Sequence, residues 1–143
     1  MDKLMAKAEI TINAPVSRVW EALTDPKQVK QYFFGTDVAS TWEVGSPLTF
    51  SGEWEGKSYE DKGTILNKDP NKLLQFSYWS SMSGKPDLPE NYANITYRLS
   101  ENEGVTTLVV TQDNITNKEG QEHSQQNWGI VLGNLKKLLE TGN

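Results

Sequence analysis

The chain has 143 residues, a formal net charge of −5 and no cysteine. Acidic and basic residues are interspersed, so no basic stripe is available to neutralise a phosphate backbone, and nucleic acid is excluded as a partner. The longest apolar runs, such as Leu108-Val109-Val110, fall far short of the roughly 20 residues that cross a bilayer, and no membrane span is expected. With no Gly/Ser tract or charge block to divide it, the chain should form one domain over residues 1–143. Its 5 Trp, 5 Tyr and 4 Phe are spread along the whole length and can build a sizeable core. The opening MDKLMAKAEI lacks the apolar region of a secretory signal, and with no disulfide to form, a cytoplasmic setting is expected.

In chain order, Ala8, Ile10 and Ile12 alternate with Lys7, Glu9 and Thr11, the period-two pattern of a half-buried first strand. Pro15 suits the first position of a helix, and Val16, Val19, Trp20 and Leu23 recur as one apolar stripe along it. Asp25 as N-cap and Pro26 after it open a second short helix reaching about Tyr32. Leu48, Phe50, Gly52 and Trp54 then share one face of a strand, opposite Thr49, Ser51 and Glu53. Turns at Gly56-Lys57, Asp69-Pro70-Asn71 and Asn102-Glu103-Gly104 separate strands near 59–67, 73–79, 92–100 and 105–113, an antiparallel meander. One apolar face runs through it, made by Leu74, Phe76 and Tyr78, then Ile95, Tyr97 and Leu99, then Leu108 and Val110. Residues 80–91, SSMSGKPDLPEN, hold two prolines and a glycine and read as a long exposed loop. Thr116 and Glu119 stand in capping-box spacing, and a helix follows to Glu140, with Gly142 to end it. Its stripe of Trp128, Val131, Leu132, Leu135, Leu138 and Leu139 needs a covering surface, and the apolar sheet face is the one long enough.

Three segments carry a family resemblance: NAPVSRVWEALTDPKQVKQYF (13–33), GTILNKDPNKLLQFSYW (63–79) and NWGIVLGNLKKLLE (127–140). Their order and spacing resemble the activator-of-Hsp90-ATPase-like branch of the START and birch-pollen-allergen superfamily, over roughly residues 7–140. The resemblance implies an α+β helix-grip, or START-like, fold. In it an incurved antiparallel sheet of about seven strands is supported at one end by two small helices, and a long C-terminal helix grips the concave side. The chain departs from the family pattern at Tyr32-Phe33, where Trp-Phe is usual, and at Gly129, which follows Trp128 where glycine usually precedes it.

Few residues suggest catalysis. The one histidine, His123, lies far round its helix from the apolar stripe, so neither a triad nor a zinc site is expected, and Glu119 beside it reads as solvated. Glu53, Glu55, Glu60 and Asp61 read as charges that keep a hairpin soluble. No glycine-rich phosphate loop or nucleophile elbow is present. The aromatic set is more informative, because a curved sheet and one helix can leave a space between them. The expected ligand-binding residues are Phe50, Trp54, Phe76, Tyr78, Tyr97, Gln112, Gln125, Trp128 and Leu132. Gln121, Ser124 and Gln125 extend the helix stripe backward from Trp128, which suggests either a cavity with a wet end near them and a greasy end near Leu135, or a helix start that overhangs the sheet into water. Phe33, Phe34, Met82 and Leu88 are apolar residues in expected loops and could form a gate or fold back onto the core as loop anchors.

The expected function is therefore non-catalytic binding of a small apolar or aromatic molecule, such as an aromatic metabolite or lipid, by a monomer that uses no cofactor and no metal. One alternative, from the resemblance, is a chaperone-associated interaction module. It stands second because the co-chaperone of that name is similar to this chain only in its C-terminal half. Another is a polyketide-cyclase-like enzyme using Tyr78 or Tyr97 with a buried carboxylate.

Overall fold

The first strand, β1 (Leu4–Ile12), is followed by two short helices, α1 (Val16–Thr24) and α2 (Pro26–Tyr32). Then come β2 (Asp37–Ala39), β3 (Pro47–Trp54), β4 (Lys57–Asp69), β5 (Leu73–Tyr78), β6 (Ala93–Asn102) and β7 (Val105–Ile115), and the chain closes on α3 (Lys118–Thr141). The computed structural model describes residues 4–33, 35–80 and 85–141, and of Trp54 and Thr141 the backbone alone. All strand pairs are antiparallel, in the order β1-β7-β6-β5-β4-β3-β2. This is the α+β helix-grip architecture. The three-residue β2 is too short to show a period, so no residue pattern announced it.

Local chemistry explains the connections. The Asp25 carboxylate accepts the Lys27 backbone N–H at 3.1 Å, and Pro26 opens α2. Glu55-Gly56 (φ 50° and 80°) and Glu103-Gly104 (φ 52° and 79°) link β3 to β4 and β6 to β7 as two-residue turns. Positive φ at both central residues matches the right-handed twist of the flanking strands. The cap of α3 differs from expectation: the Asn117 side chain accepts the Gly120 backbone N–H at 2.7 Å. Because the helix begins at Lys118, Thr116 falls one residue too early for capping, and Asn117 takes its place. Gly142 lies outside the described residues.

β4 shapes the cup. Its first part pairs with β3, from Trp54 opposite Lys57 to Pro47 opposite Thr64, and its second part pairs with β5 from Ile65 onward. One strand thus serves both halves of the sheet, with a register shift between Ile65 and Asn67, and β4 and β5 come close at Gly63, where an added Cβ would lie 1.7 Å from the Ser77 carbonyl oxygen. At the same place the Thr64 N–H is accepted by Ser77 Oγ, at 2.9 Å.

The buried face of α3, made by Trp128, Val131, Leu132, Leu135 and Leu139, joins the inner sheet residues Leu48, Ile65, Leu74, Leu108 and Val110 in one core. Each fully buried leucine contributes about 2 kcal/mol relative to exposure. The polar residues flanking that face reach the outer edge of β1. Gln121 donates to the Met5 carbonyl (2.8 Å), and the Gln125 side chain accepts the Lys7 N–H (3.3 Å). Lys136 donates to the Thr11 carbonyl (2.7 Å), and Glu140 accepts the Asn13 N–H (2.8 Å). These side chains occupy edge groups that would otherwise be open to another strand.

Candidate functional site

Five rings close a circuit in the cup. Phe33 stacks on Phe50 (5.7 Å between centroids), Phe50 meets Phe76 (6.0 Å), Phe76 meets Tyr97 edge-on (5.6 Å) and Tyr97 meets Trp128 (5.9 Å). Trp128 returns to Phe33 at 6.0 Å with planes 83° apart. Tyr78 adds a sixth ring, edge-on to Phe50 at 5.7 Å. Strand alternation puts Phe50, Phe76 and Tyr97 on the concave side, and helix period brings Trp128 over them. The strand and helix periods put Phe50, Phe76, Tyr78, Tyr97 and Trp128 on one inner face together with Trp54, whereas the sequence places Phe33 in a loop, as a gate residue.

The space they enclose is nearly filled. A void of about 10 Å³ remains, lined by Tyr32, Phe33, Trp42, Phe50, Phe76 and Tyr97 among others. That is room for about one water molecule. Among the described residues no chamber with a wet end forms near Gln121, Ser124 and Gln125: Gln125 is exposed, and Gln121 and Gln125 bond to β1. Backbone groups on the β1 edge hold these amides more effectively than an apolar cup could. Gln112 does point inward and accepts the indole N–H of Trp128 at 2.9 Å. Leu132 is buried in the core.

Two rings over the void come from loops. Phe33 ends α2, and Trp42 sits between β2 and β3 with φ at 65°, a left-handed backbone that a bulky residue adopts only under strain. Its N–H is held by Ser40 Oγ at 2.9 Å. Trp42 was not legible as a site residue, since no period runs through residues 40–46. Of the expected gate, Phe33 stands at the void, and Leu88 is 44% exposed and is not among the residues that line it. Phe34 and Met82, and the side chain of Trp54, lie outside the described residues.

A polar group lies on the other side of Phe50. Asp61, directly opposite Phe50 in the β3–β4 ladder, shares its inner face and is 7% exposed. The Tyr78 hydroxyl donates to its carboxylate at 2.6 Å. Burial, then the nearby Asp61 charge, pushes the Tyr78 phenol far above its ordinary value, so it remains a proton donor. On the same face, Tyr59 and the buried Thr36 join hydroxyls at 2.6 Å, and the Tyr59 ring lies against Gly52, where a Cβ would meet its oxygen at 2.7 Å. The solvated-hairpin reading holds for the exposed Glu53, Glu55 and Glu60 and is corrected for Asp61. The signal was present: Tyr59, Asp61, Gly63 and Ile65 alternate in phase, and Ile65 is a core residue.

Elsewhere, His123 is exposed and bonded to Asn127 (3.2 Å). Among the described residues no group of three or more His, Asp or Glu side chains is placed to hold a metal ion, and no helix is long and apolar enough to cross a membrane.

A family model described as Activator of Hsp90 ATPase homolog 1-like protein matches residues 13–140. The chain belongs to this family. The solution structure of ChR145 from Cytophaga hutchinsonii is 47% identical, with a TM-score of 0.85 over 98% of this chain and 97% of that one. Two more distant structures share the fold. The Aha1 dimer from Colwellia psychrerythraea is 22% identical, with TM-score 0.77 over 98% of each chain. CalU16 from Micromonospora echinospora is 21% identical, with TM-score 0.72 over 99% of this chain and 85% of that one. No curated protein matches. Within the activator-of-Hsp90-ATPase-like family, the departure at Tyr32 now has a structural role: its buried hydroxyl donates to the Ala22 carbonyl at 3.0 Å and ties α2 to α1. Gly129 lies on the exposed face of α3, with nothing near its missing Cβ.

Proposed function

We propose that the chain binds a small, largely apolar molecule with a flat ring in the cup between the sheet and α3, in the place that Phe33 and Trp42 now fill. The observation carrying this reading is that the aromatic circuit is closed by Phe33, just beyond α2, with the loop residue Trp42 beside it at the void, whereas Phe50, Phe76, Tyr97 and Trp128 sit on strands and on α3. A void for one water admits no guest, so binding requires Phe33 or Trp42 to swing out. The left-handed backbone of Trp42 favours that movement, since strain of about 1–3 kcal/mol is relieved when the residue relaxes. The flat ring of the guest then replaces the stacking that Phe33 gives up on Phe50.

The test is an NMR titration with 1-methylnaphthalene, following the indole N–H of Trp42 and Trp128 and the amides of Phe76 and Tyr97. Wild type should shift these signals. Phe33→Ala, which removes the ring that must move, should bind about tenfold tighter, because the closed state no longer competes. Silence in both proteins, or shifts confined to the outer sheet face, would refute the proposal.

A further inference from the structure

Around the cup, Tyr32, Tyr59 and Tyr78 commit their hydroxyls within the protein: Tyr32 donates to the Ala22 carbonyl, Tyr59 shares a hydrogen bond with Thr36, and Tyr78 donates to Asp61. Tyr97 differs. Among the described residues no group hydrogen-bonds its hydroxyl, and burial by itself holds the phenol well above its ordinary value. Yet Tyr97 is only 6% exposed and lines the void. No fully enclosed side-chain oxygen among the described residues lacks a partner, so this hydroxyl keeps a little free surface, and the space that Tyr97 borders is the void. Burial, then the Tyr97 charge, raises the Tyr32 phenol, which places the two hydroxyls near each other on the α2 side of the cup.

We propose that the Tyr97 hydroxyl is the specificity-determining donor of the cup, and that the flat-ring guest carries a neutral carbonyl oxygen that accepts this hydrogen bond. This rests on the cup being the binding site. A pocket that is apolar apart from a few placed polar groups uses them to orient its ligand. A buried hydroxyl without a partner is costly; a guest that brings an acceptor removes that cost, whereas a hydrocarbon of the same shape leaves it in place. Because the phenol holds its proton, it offers a donor and no charge. None of the residues lining the void is charged, so a carboxylate there would be desolvated with nothing to neutralise it, and a neutral carbonyl is preferred over an anion. Edge-on contacts with Phe76 and Trp128 hold the Tyr97 ring, so the donor is in place before a guest arrives.

Three probes share one ring system and differ at a substituent of similar shape: 1-acetylnaphthalene, 1-isopropylnaphthalene and 1-naphthoate, titrated by NMR into wild type, Phe33→Ala and Tyr97→Phe. Tyr97→Phe removes the hydroxyl and keeps the ring contacts. Its urea midpoint should match wild type, since no hydrogen bond within the protein is lost. It should lower the affinity for acetylnaphthalene about tenfold and leave that for isopropylnaphthalene within about twofold. Naphthoate should bind wild type about tenfold or more weakly than acetylnaphthalene does. The carbonyl stretch of acetylnaphthalene bound to wild type or Phe33→Ala is a measurement that needs no Tyr97 variant, and it should lie below its position in hexane. If isopropylnaphthalene binds but Tyr97→Phe changes both neutral probes alike, or naphthoate binds tightest, or the stretch keeps its hexane position, the role of Tyr97 is refuted and the cup remains a binding site. If none of the three binds wild type or Phe33→Ala, the reading of the cup itself fails, and this assignment with it.

Discussion

Gly63→Ala tests the close approach of β4 and β5. An added Cβ would sit 1.7 Å from the Ser77 carbonyl oxygen and 2.6 Å from its carbon, both backbone atoms that no rotamer change can move. An ordinary contact of about 3.4 Å therefore requires β4 and β5 to part locally by more than an ångström. That movement strains the Thr64 to Ser77 Oγ bond (2.9 Å) and the neighbouring Lys62–Trp79 pair (3.0 and 2.8 Å). Overpacking of this kind costs about 1–3 kcal/mol, and loss of the nearest of these bonds, Thr64 to Ser77, adds about 1 kcal/mol, so a total loss of about 2–4 kcal/mol is expected. Gly133→Ala is the matched control: it lies within α3 with nothing within 4 Å of the new Cβ, and it should stabilise by about 0.5–1 kcal/mol. Urea unfolding followed by tryptophan fluorescence measures both changes. A loss below about 0.5 kcal/mol for Gly63→Ala would mean that the sheet accommodates a side chain there, and the close approach of the two strands would not constrain this position.

Two further predictions concern pH. Burial holds the phenols of Tyr32, Tyr78 and Tyr97 above the ordinary 10.0, so the folded state keeps their protons more tightly; stability is full below 10.0 and falls as pH rises beyond it. These three tyrosines should ionise only together with unfolding, and reversible ionisation of every tyrosine with unchanged circular dichroism would contradict their burial. At the acid end, hydrogen bonds from Lys62 and then Tyr92 hold the Asp87 carboxyl below its ordinary 3.8, so the contribution of this contact is complete above 3.8 and lost as pH falls through the lowered value. The Trp79 indole, which donates to the Lys85 carbonyl in the same loop, should report that release by NMR, and Asp87→Asn should remove the transition.

Most of the architecture was legible because its signals are local. Alternation marked β1 and β3 to β7, and turn residues marked the hairpins. Where the reading failed, the deciding contact lay far away in sequence. Gln121 and Gln125 were in phase with Trp128, so the helix period pointed them inward, but α3 lies along the open edge of β1, and its unpaired backbone groups took both amides. Asp61 sat among surface glutamates in sequence yet turned inward because β4 keeps its alternation through to Ile65.

The sequence by itself determined the fold class, the order of most of its elements and the common face of Phe50, Phe76, Tyr97 and Trp128, since periodicity and capping act over a few residues. Tertiary structure alone decided whether that set encloses a chamber or fills it, because Phe33 and Trp42 reach the cup from loops that carry no period, and close packing depends on where five separate segments converge. It also decided that a carboxylate stands beside the rings, through a ladder register that no single strand contains.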